Sequence, residues 1–585
     1  MPDEALVFLG GGGLLLGDAA EGVFGLGDVD FGGALDLDEA GFLAVLGGGL
    51  KNFHGVGKPA EGEEGKGGTA EGDGAELAIA AESGRTFLPP RDLRIAGIVS
   101  EAAATRLAVF HSHTRRTLPD ALPFRKPAAR LGGMLDHVNT IRNLVRCPSV
   151  STDPSYRDGM EAAREELTEL FSSLGLETEV VETEKHPVML ARRDGPAEWP
   201  HVLIYGHYDV QPPDPLDLWE TPAFEPREKG ERLYGRGTAD NKGPLMVHVA
   251  AVARLLEENP DLPLRLTFLI EGEEEIGSPS LPMVLQERKE QLRGDFILLS
   301  DTLNPSLDQV AVTTAIRGMA CLEAVLEGPR GDLHSGMFGG AIYNPVQALT
   351  ELCASLHDKE GRVAISGFYD SIRPPADWEK EQIAALPTSD ADLVAFAGVP
   401  ATRPVPGRSA MEAVRFEPTL EFNGIYGGYM GEGEKTIIPS RAGVKISCRL
   451  VADQDPARIE ELLESTLRER CPAEVRLDIR KGHSGPPYSV VPPDRSNTPA
   501  DQNARLAAAF RTTDAAVAEI FGKAPLYLRE GGSIPIIGEM HRILGMDSLM
   551  LGMGTAENNL HAPNESVHLP TLEKGIAVSM RILKA

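Results

Sequence analysis

From Met134 onward, apolar positions follow two alternating rhythms. Met134 to Val145 carries them at helical spacing, and so does Asp158 to Leu174, through Ala162, Ala163, Leu167, Leu170, Phe171 and Leu174. His201-Val-Leu-Ile-Tyr-Gly206 is a short continuous apolar run, the pattern of a strand covered on both faces. Pro244 to Leu256 then predicts a helix, and Leu264 to Ile270 and Asp295 to Ser300 predict strands. This alternation predicts an α/β domain with a mainly parallel sheet flanked by helices. From about Ile316 the texture changes. Cys321 to Glu327 and Gly443 to Val451 read as half-exposed strands around a helix near Pro345 to His357, an inserted α+β unit. The α/β pattern returns near Ala500. The predicted divisions are 134–315 and 488–585 for the two parts of the main domain, with 316–487 inserted between them.

Residues 1–133 show neither rhythm. The first hundred residues hold 24 of the 63 glycines, a density that makes backbone ordering costly. The expectation is a low-complexity segment, either a disordered extension or a mis-called start with Met134 as the initiator.

Charge narrows the class of function. With 57 Lys and Arg against 87 Asp and Glu, the formal net charge is −30. That excess argues against nucleic acid or an anionic membrane as partner. No apolar run approaches the roughly 18 residues that span a bilayer, and the start Met-Pro-Asp-Glu lacks a basic leader segment. Five scattered cysteines without a C-x-x-C pair predict reduced thiols and a cytoplasmic location.

The candidate chemistry sits where predicted strands end. Gly206-His207-Tyr208-Asp209 places an imidazole and a carboxylate two residues apart, as a metal-binding histidine and its supporting carboxylate would be. Tyr234-Gly-Arg-Gly-Thr-Ala-Asp240-Asn241-Lys242-Gly243 lacks the spacing of a phosphate-binding loop and presents Asp240, as a cleft carboxylate or a helix cap. Glu271-Gly-Glu273-Glu274-Glu275 crowds acids at the end of a buried strand, which costs repulsion unless a cation offsets it. Asp301 closes another strand. Open α/β sheets bind ligands beyond the carboxyl ends of their strands, so these positions together predict a metal site.

These motifs resemble the co-catalytic di-zinc metallopeptidases that include carnosinase, cytosolic non-specific dipeptidase, aminoacylase and succinyl-diaminopimelate desuccinylase. The resemblance spans Met134 to Ala585 and is closest to the dipeptidase branch, through Gly206-His-Tyr-Asp-Val-Gln-Pro, Tyr234 to Pro244 and Asp332-Leu-His-Ser-Gly-Met-Phe-Gly-Gly. It implies a catalytic domain with an inserted lid and dimerisation domain. His207 and Asp301 would bind one ion, Glu275 and His561 the other, and Asp240 both. The ions would be zinc, with manganese or cobalt as alternatives for nitrogen and oxygen donors. Asp209 would orient His207, and the Asp240–Asn241 bond would be cis. Glu274 would act as general base on a water held between the ions, and the hydroxide so formed would attack the scissile amide. His334 would reach the partner subunit's active site in a homodimer and stabilise the oxyanion. Arg449, Gly532 and Ser533 would grip the substrate's C-terminal carboxylate. The implied function is hydrolysis of dipeptides or short peptides. An N-acyl-amino-acid amidohydrolase is the alternative, and a catalytically silent binding homologue the third. His483 reads as structural, and Phe368 to Val405 has no assigned chemistry.

Overall fold

Nine strands form one mixed sheet whose centre runs parallel. The computed structural model describes residues 135–495 and 503–585, together with two short antiparallel strand pairs near the N-terminus, Glu4–Leu9 with Gly13–Asp18 and Leu35–Leu37 with Leu43–Val45. The reading of residues 1–133 as low-complexity or mis-called otherwise lies outside the described residues.

The sheet is built from β1 (Glu177–Val181), β2 (Val188–Arg193), β3 (His201–His207), β4 (Arg265–Glu271), β5 (Phe296–Leu299) and β6 (Ala311–Ile316). Between β6 and the sheet's last strands lie the strands of a second sheet: β7 (Gly318–Glu327), β8 (Thr419–Gly427), β9 (Arg441–Leu450) and β10 (Arg476–Gly485). The main sheet then closes with β11 (Tyr488–Ser489), β12 (Leu526–Arg529) and β13 (Ser548–Leu551). Its order is β11-β6-β13-β5-β3-β4-β2-β1, with β12 paired to β6. β13, β5, β3 and β4 are mutually parallel, and antiparallel pairs flank them on both sides. Every residue of β3 is buried, because helices cover both faces and leave no solvated side to alternate toward.

Eight helices matter here: α1 (His137–Val145), α2 (Arg157–Ser173), α3 (Lys242–Glu258), α4 (Pro345–Ala354), α5 (Pro456–Arg470), α6 (Ala504–Phe521), α7 (Pro535–Leu544) and α8 (Leu569–Lys584). α3 is buried along most of its length because it packs against both β3 and α8. Its buried His248 bonds Ser300 at 3.0 Å and Ser579, on α8, at 2.9 Å. No helix among the described residues is long and apolar enough to cross a membrane.

The second sheet is antiparallel, in the order β8-β9-β7-β10, and has a core of its own with α4 and α5. β8 therefore lies at a sheet edge. The segment that sequence reasoning left without a role returns to the main sheet. Ile383 and Phe416 bury a small apolar cluster with Ala311, Leu526 and Leu528. Glu379 accepts a two-pronged pair from Arg529 at 2.7 and 2.8 Å, and the Gln382 side chain accepts from Tyr527 N at 2.9 Å. This arm covers β12, whose outer edge would otherwise expose unpaired backbone groups.

Candidate metal centre and active site

Because β3, β4 and β5 run parallel, their carboxyl ends lie on one side of the sheet, and His207, the Glu271–Glu275 stretch and Asp301 arrive there together. His207 pairs with Glu271 in the β3–β4 register. Its Nε2 lies 3.2 Å from Asp240 Oδ1 and 3.8 Å from Asp301 Oδ2. His561 Nε2 lies 3.0 Å from Asp240 Oδ2 and 3.4 Å from Glu275 Oε2. Two donor triads result, His207–Asp240–Asp301 and Asp240–Glu275–His561, each within 4.8 Å internally and sharing Asp240.

The donors fit a pair of divalent cations. His207 Nε2 is fully buried and hydrogen-bonds to neither neighbouring carboxylate, and an orphaned imidazole nitrogen is costly unless something accepts its lone pair. Like charges are also packed together out of water. Burial, then the charge of Asp240, pushes Glu275 up to about 8 and Asp301 up to about 6. Burial drives Glu274 well above the usual carboxylate range, with Asp301 and Glu275 adding to it. Burial also acts upward on Asp240, but the imidazoles of His207 and His561 outweigh it and hold that carboxyl below its ordinary range. Nitrogen and oxygen donors without thiolate suit zinc, manganese or cobalt.

Asp209 is fully buried and serves two purposes. One oxygen stands 3.3 Å from His207 Nδ1, whose ring also meets Asp209's own carbonyl at 3.1 Å. The same carboxylate accepts the backbone N–H of Glu274 at 3.3 Å and of Glu275 at 3.1 Å. It therefore fixes the ring and the acidic turn at once. Glu273 turns away, accepting from the N–H groups of His186 and Ser280 at 2.9 Å each. The Asp240–Asn241 bond is cis, as the resemblance implied. Asp240 caps no helix; Asn241 precedes α3, and its amide holds Asp301 at 2.6 Å.

Two of the three residues expected to grip a carboxylate touch within one chain. Arg449, on β9 of the second sheet, donates to Ser533 Oγ, in the turn after β12, at 2.7 Å. Gly532 accepts from Arg317 N at 3.0 Å, and Arg317 donates to the carbonyls of Ala413 and Glu417 at 2.9 Å each. A cleft of about 740 Å³ opens beside Arg449 and Arg317. His334 is not drawn into the cluster. It is exposed on the inserted domain, and its Nδ1 accepts from Gly336 N at 3.0 Å.

Sequence reasoning gave Gln211 no role, and it named Glu271 only within the acidic run and His483 only as structural. Gln211 donates to Glu275 at 2.7 Å, and Glu271 is buried between Tyr205 and Ser278 at 2.8 and 2.9 Å. The ring of His483 stands against Gly277, so a methyl group there would meet it at 3.0 Å. Gln211 follows the His-x-Asp motif closely, and that proximity was its one sequence signal.

Two histidine and carboxylate triads around a shared aspartate, gathered at the carboxyl ends of central parallel strands, define a scaffold of the dinuclear metal-binding type. Residues 203–585 match the family model described as Peptidase family M20/M25/M40. The Cys-Gly metallodipeptidase dug1 of Schizosaccharomyces pombe is 28% identical over 459 residues, covering 75% of this chain and 93% of that protein. The Beta-Ala-His dipeptidase of Mus musculus is 31% identical over 388 residues, covering 65% and 76%. The solved structure of the M20 family metallo-carboxypeptidase Sso-CP2 from Sulfolobus solfataricus aligns with a TM-score of 0.67 at 29% identity, covering 77% of this chain and 99% of that one. The chain belongs to Peptidase family M20/M25/M40 and is a metal-dependent peptidase.

Proposed function

We propose that this protein hydrolyses dipeptides and short peptides that carry a free C-terminal carboxylate. The observation that carries the proposal is the pair of triads meeting at Asp240. His207 and Asp301 would hold one divalent ion, Glu275 and His561 the other, and Asp240 both. Bound there, the ions would supply Lewis acidity and lower the pKa of water toward neutrality. Glu274 adjoins the ligand Glu275 but does different work, taking a proton from the attacking water and returning it to the departing amine. Asp209 holds His207 and the Glu274–Glu275 backbone in position. Arg449 offers a planar guanidinium suited to a carboxylate, with Ser533 beside it. The relatives named for Cys-Gly and β-Ala-His dipeptides support small substrates of this kind.

The working unit would be a homodimer, with His334 acting on the oxyanion in the partner's site. Support comes from the edge strand β8 and from exposed apolar side chains between residues 316 and 487, Met337, Phe338, Ile342, Ile425 and Met430. The five free cysteines fit a reducing, cytoplasmic setting, and zinc is the expected metal. A panel of dipeptides assayed against N-acetylated amino acids, with and without EDTA, tests the function. Chelator-sensitive turnover of dipeptides is expected; turnover confined to the acetylated amino acids would overturn the proposal.

A further inference from the structure

Four residues beyond His561 lies a carboxylate that sequence reasoning passed over. Glu565 is completely buried and accepts four hydrogen bonds. Oε2 takes Arg236 Nη1 at 2.7 Å and Gly237 N at 2.9 Å; Oε1 takes Ala239 N at 2.8 Å and Asp240 N at 3.1 Å. Its carbonyl also accepts from Gly235 N at 2.9 Å. The turn that presents Asp240 is thus wrapped around this one side chain, with its N–H groups converging on an anion as in a backbone nest. With both oxygens occupied by donors, Glu565 is not placed to be a ligand. Nor does stability alone explain it, because burying an ion pair gains little over an apolar pair of the same volume.

What Glu565 does join is the shared carboxylate and the second histidine. It sits on the loop of His561, whose φ of 59° is left-handed and unfavourable for a side-chain-bearing residue. It also grips the backbone of Asp240, whose carboxylate meets His561 at 3.0 Å. We propose that Glu565 is a positioning residue that sets the Asp240–His561 spacing and so selectively supports the ion held by Glu275 and His561. The inference rests on the two-ion reading above. Asp301 and His207 reach their places from other strands, so the remaining ion depends on Glu565 only through Asp240 and its neighbour Asn241, whose amide holds Asp301, while His561 shares the loop of Glu565 itself.

Competition between the purified zinc enzyme and a chromophoric chelator, resolving two dissociation constants, tests this. In Glu565→Gln, whose amide keeps the volume but turns donors toward donors, one constant is expected to rise about 10- to 100-fold, with a much smaller change in the other. Loss of packing alone would weaken both ions together. Glu565→Asp keeps the charge but retracts it, and it carries the same test should the first variant fail to fold. Two constants within about twofold of wild type in a folded variant would overturn the role of Glu565 and leave the two-ion reading intact. A wild-type enzyme that binds only one zinc would overturn both.

Discussion

Asp209 and Glu274 show how much of the candidate chemistry depends on single side chains. Adjacent carboxylates must diverge, one toward metal and one toward water, and Asp209 holds the backbone of both Glu274 and Glu275 while it orients His207. Replacing Glu274 by Gln should leave metal content unchanged while kcat falls by about 10² or more, the loss expected of a general base; metal analysis beside steady-state kinetics checks this, and retained turnover would be fatal to the assignment. Asp209→Asn should instead lower metal affinity as well as activity, each by about 10- to 100-fold, and unchanged affinity in a chelator titration would remove its proposed role. The strand-end motifs made His207, Asp209, the Glu273–Glu275 acids and Asp301 stand out in the sequence, because a buried apolar run followed at once by charge is a local pattern; Asp240 stood out only in a glycine-rich turn that also read as a helix cap, and the separate roles came from the family resemblance. Asn241 entered only through the expected cis bond to Asp240. Its bond to Asp301, like the bonds of Glu565, joins residues far apart in the chain, and no local pattern records such a contact.

At the scale of elements, turns place the ligands. Gly277 ends the Glu274–Ile276 turn with φ of 84°, where a side chain is strained, and it faces His483 from the inserted domain. Gly243, in the first turn of α3, is more constrained: a methyl group there would come within 2.1 Å of the Thr238 carbonyl. Gly243→Ala therefore has to displace the turn that carries Asp240. The expected result is loss of bound metal with the fold retained, read by metal analysis and circular dichroism; full metal content would show that the turn tolerates the shift. The helices of the main sheet's flanks were readable from helical spacing and its strands from short continuous apolar runs between them. The arm from Asp377 to Phe416 was not, because few of its apolar residues are buried and the partners of Ile383 and Phe416 include Leu526 and Leu528 on β12, more than a hundred residues later. Arg449 and Ser533 were named by motif, but only the fold brings one to the other.

At the scale of the whole molecule, an edge strand with an apolar surface and a buried histidine lead to different tests. Ile425, about half exposed on the edge strand β8, lies on the surface assigned above to the proposed dimer. Ile425→Arg should convert a dimer to monomer in sedimentation and, if His334 acts across the interface, abolish most activity; an active monomer would refute that cross-subunit role. The pH dependence of stability turns on His248. Burial lowers its pKa to about 3, against about 6.5 in an unfolded chain. The folded state thus excludes a proton that the unfolded state binds between those values, so this residue's contribution is complete above pH 6.5 and is lost as pH falls toward 3. At pH 5 the loss amounts to about 2 kcal/mol, from roughly 1.4 kcal/mol per unit. Nearby carboxyls raised by burial act in the opposite sense, so the total curve mixes the two, but the difference between wild type and His248→Gln isolates the histidine. Denaturant unfolding at pH 7 and pH 5 should show the variant gaining on wild type as the solution is acidified. Parallel curves would mean that the His248 ring, between Ser300 and Ser579, is no harder to protonate than one in water.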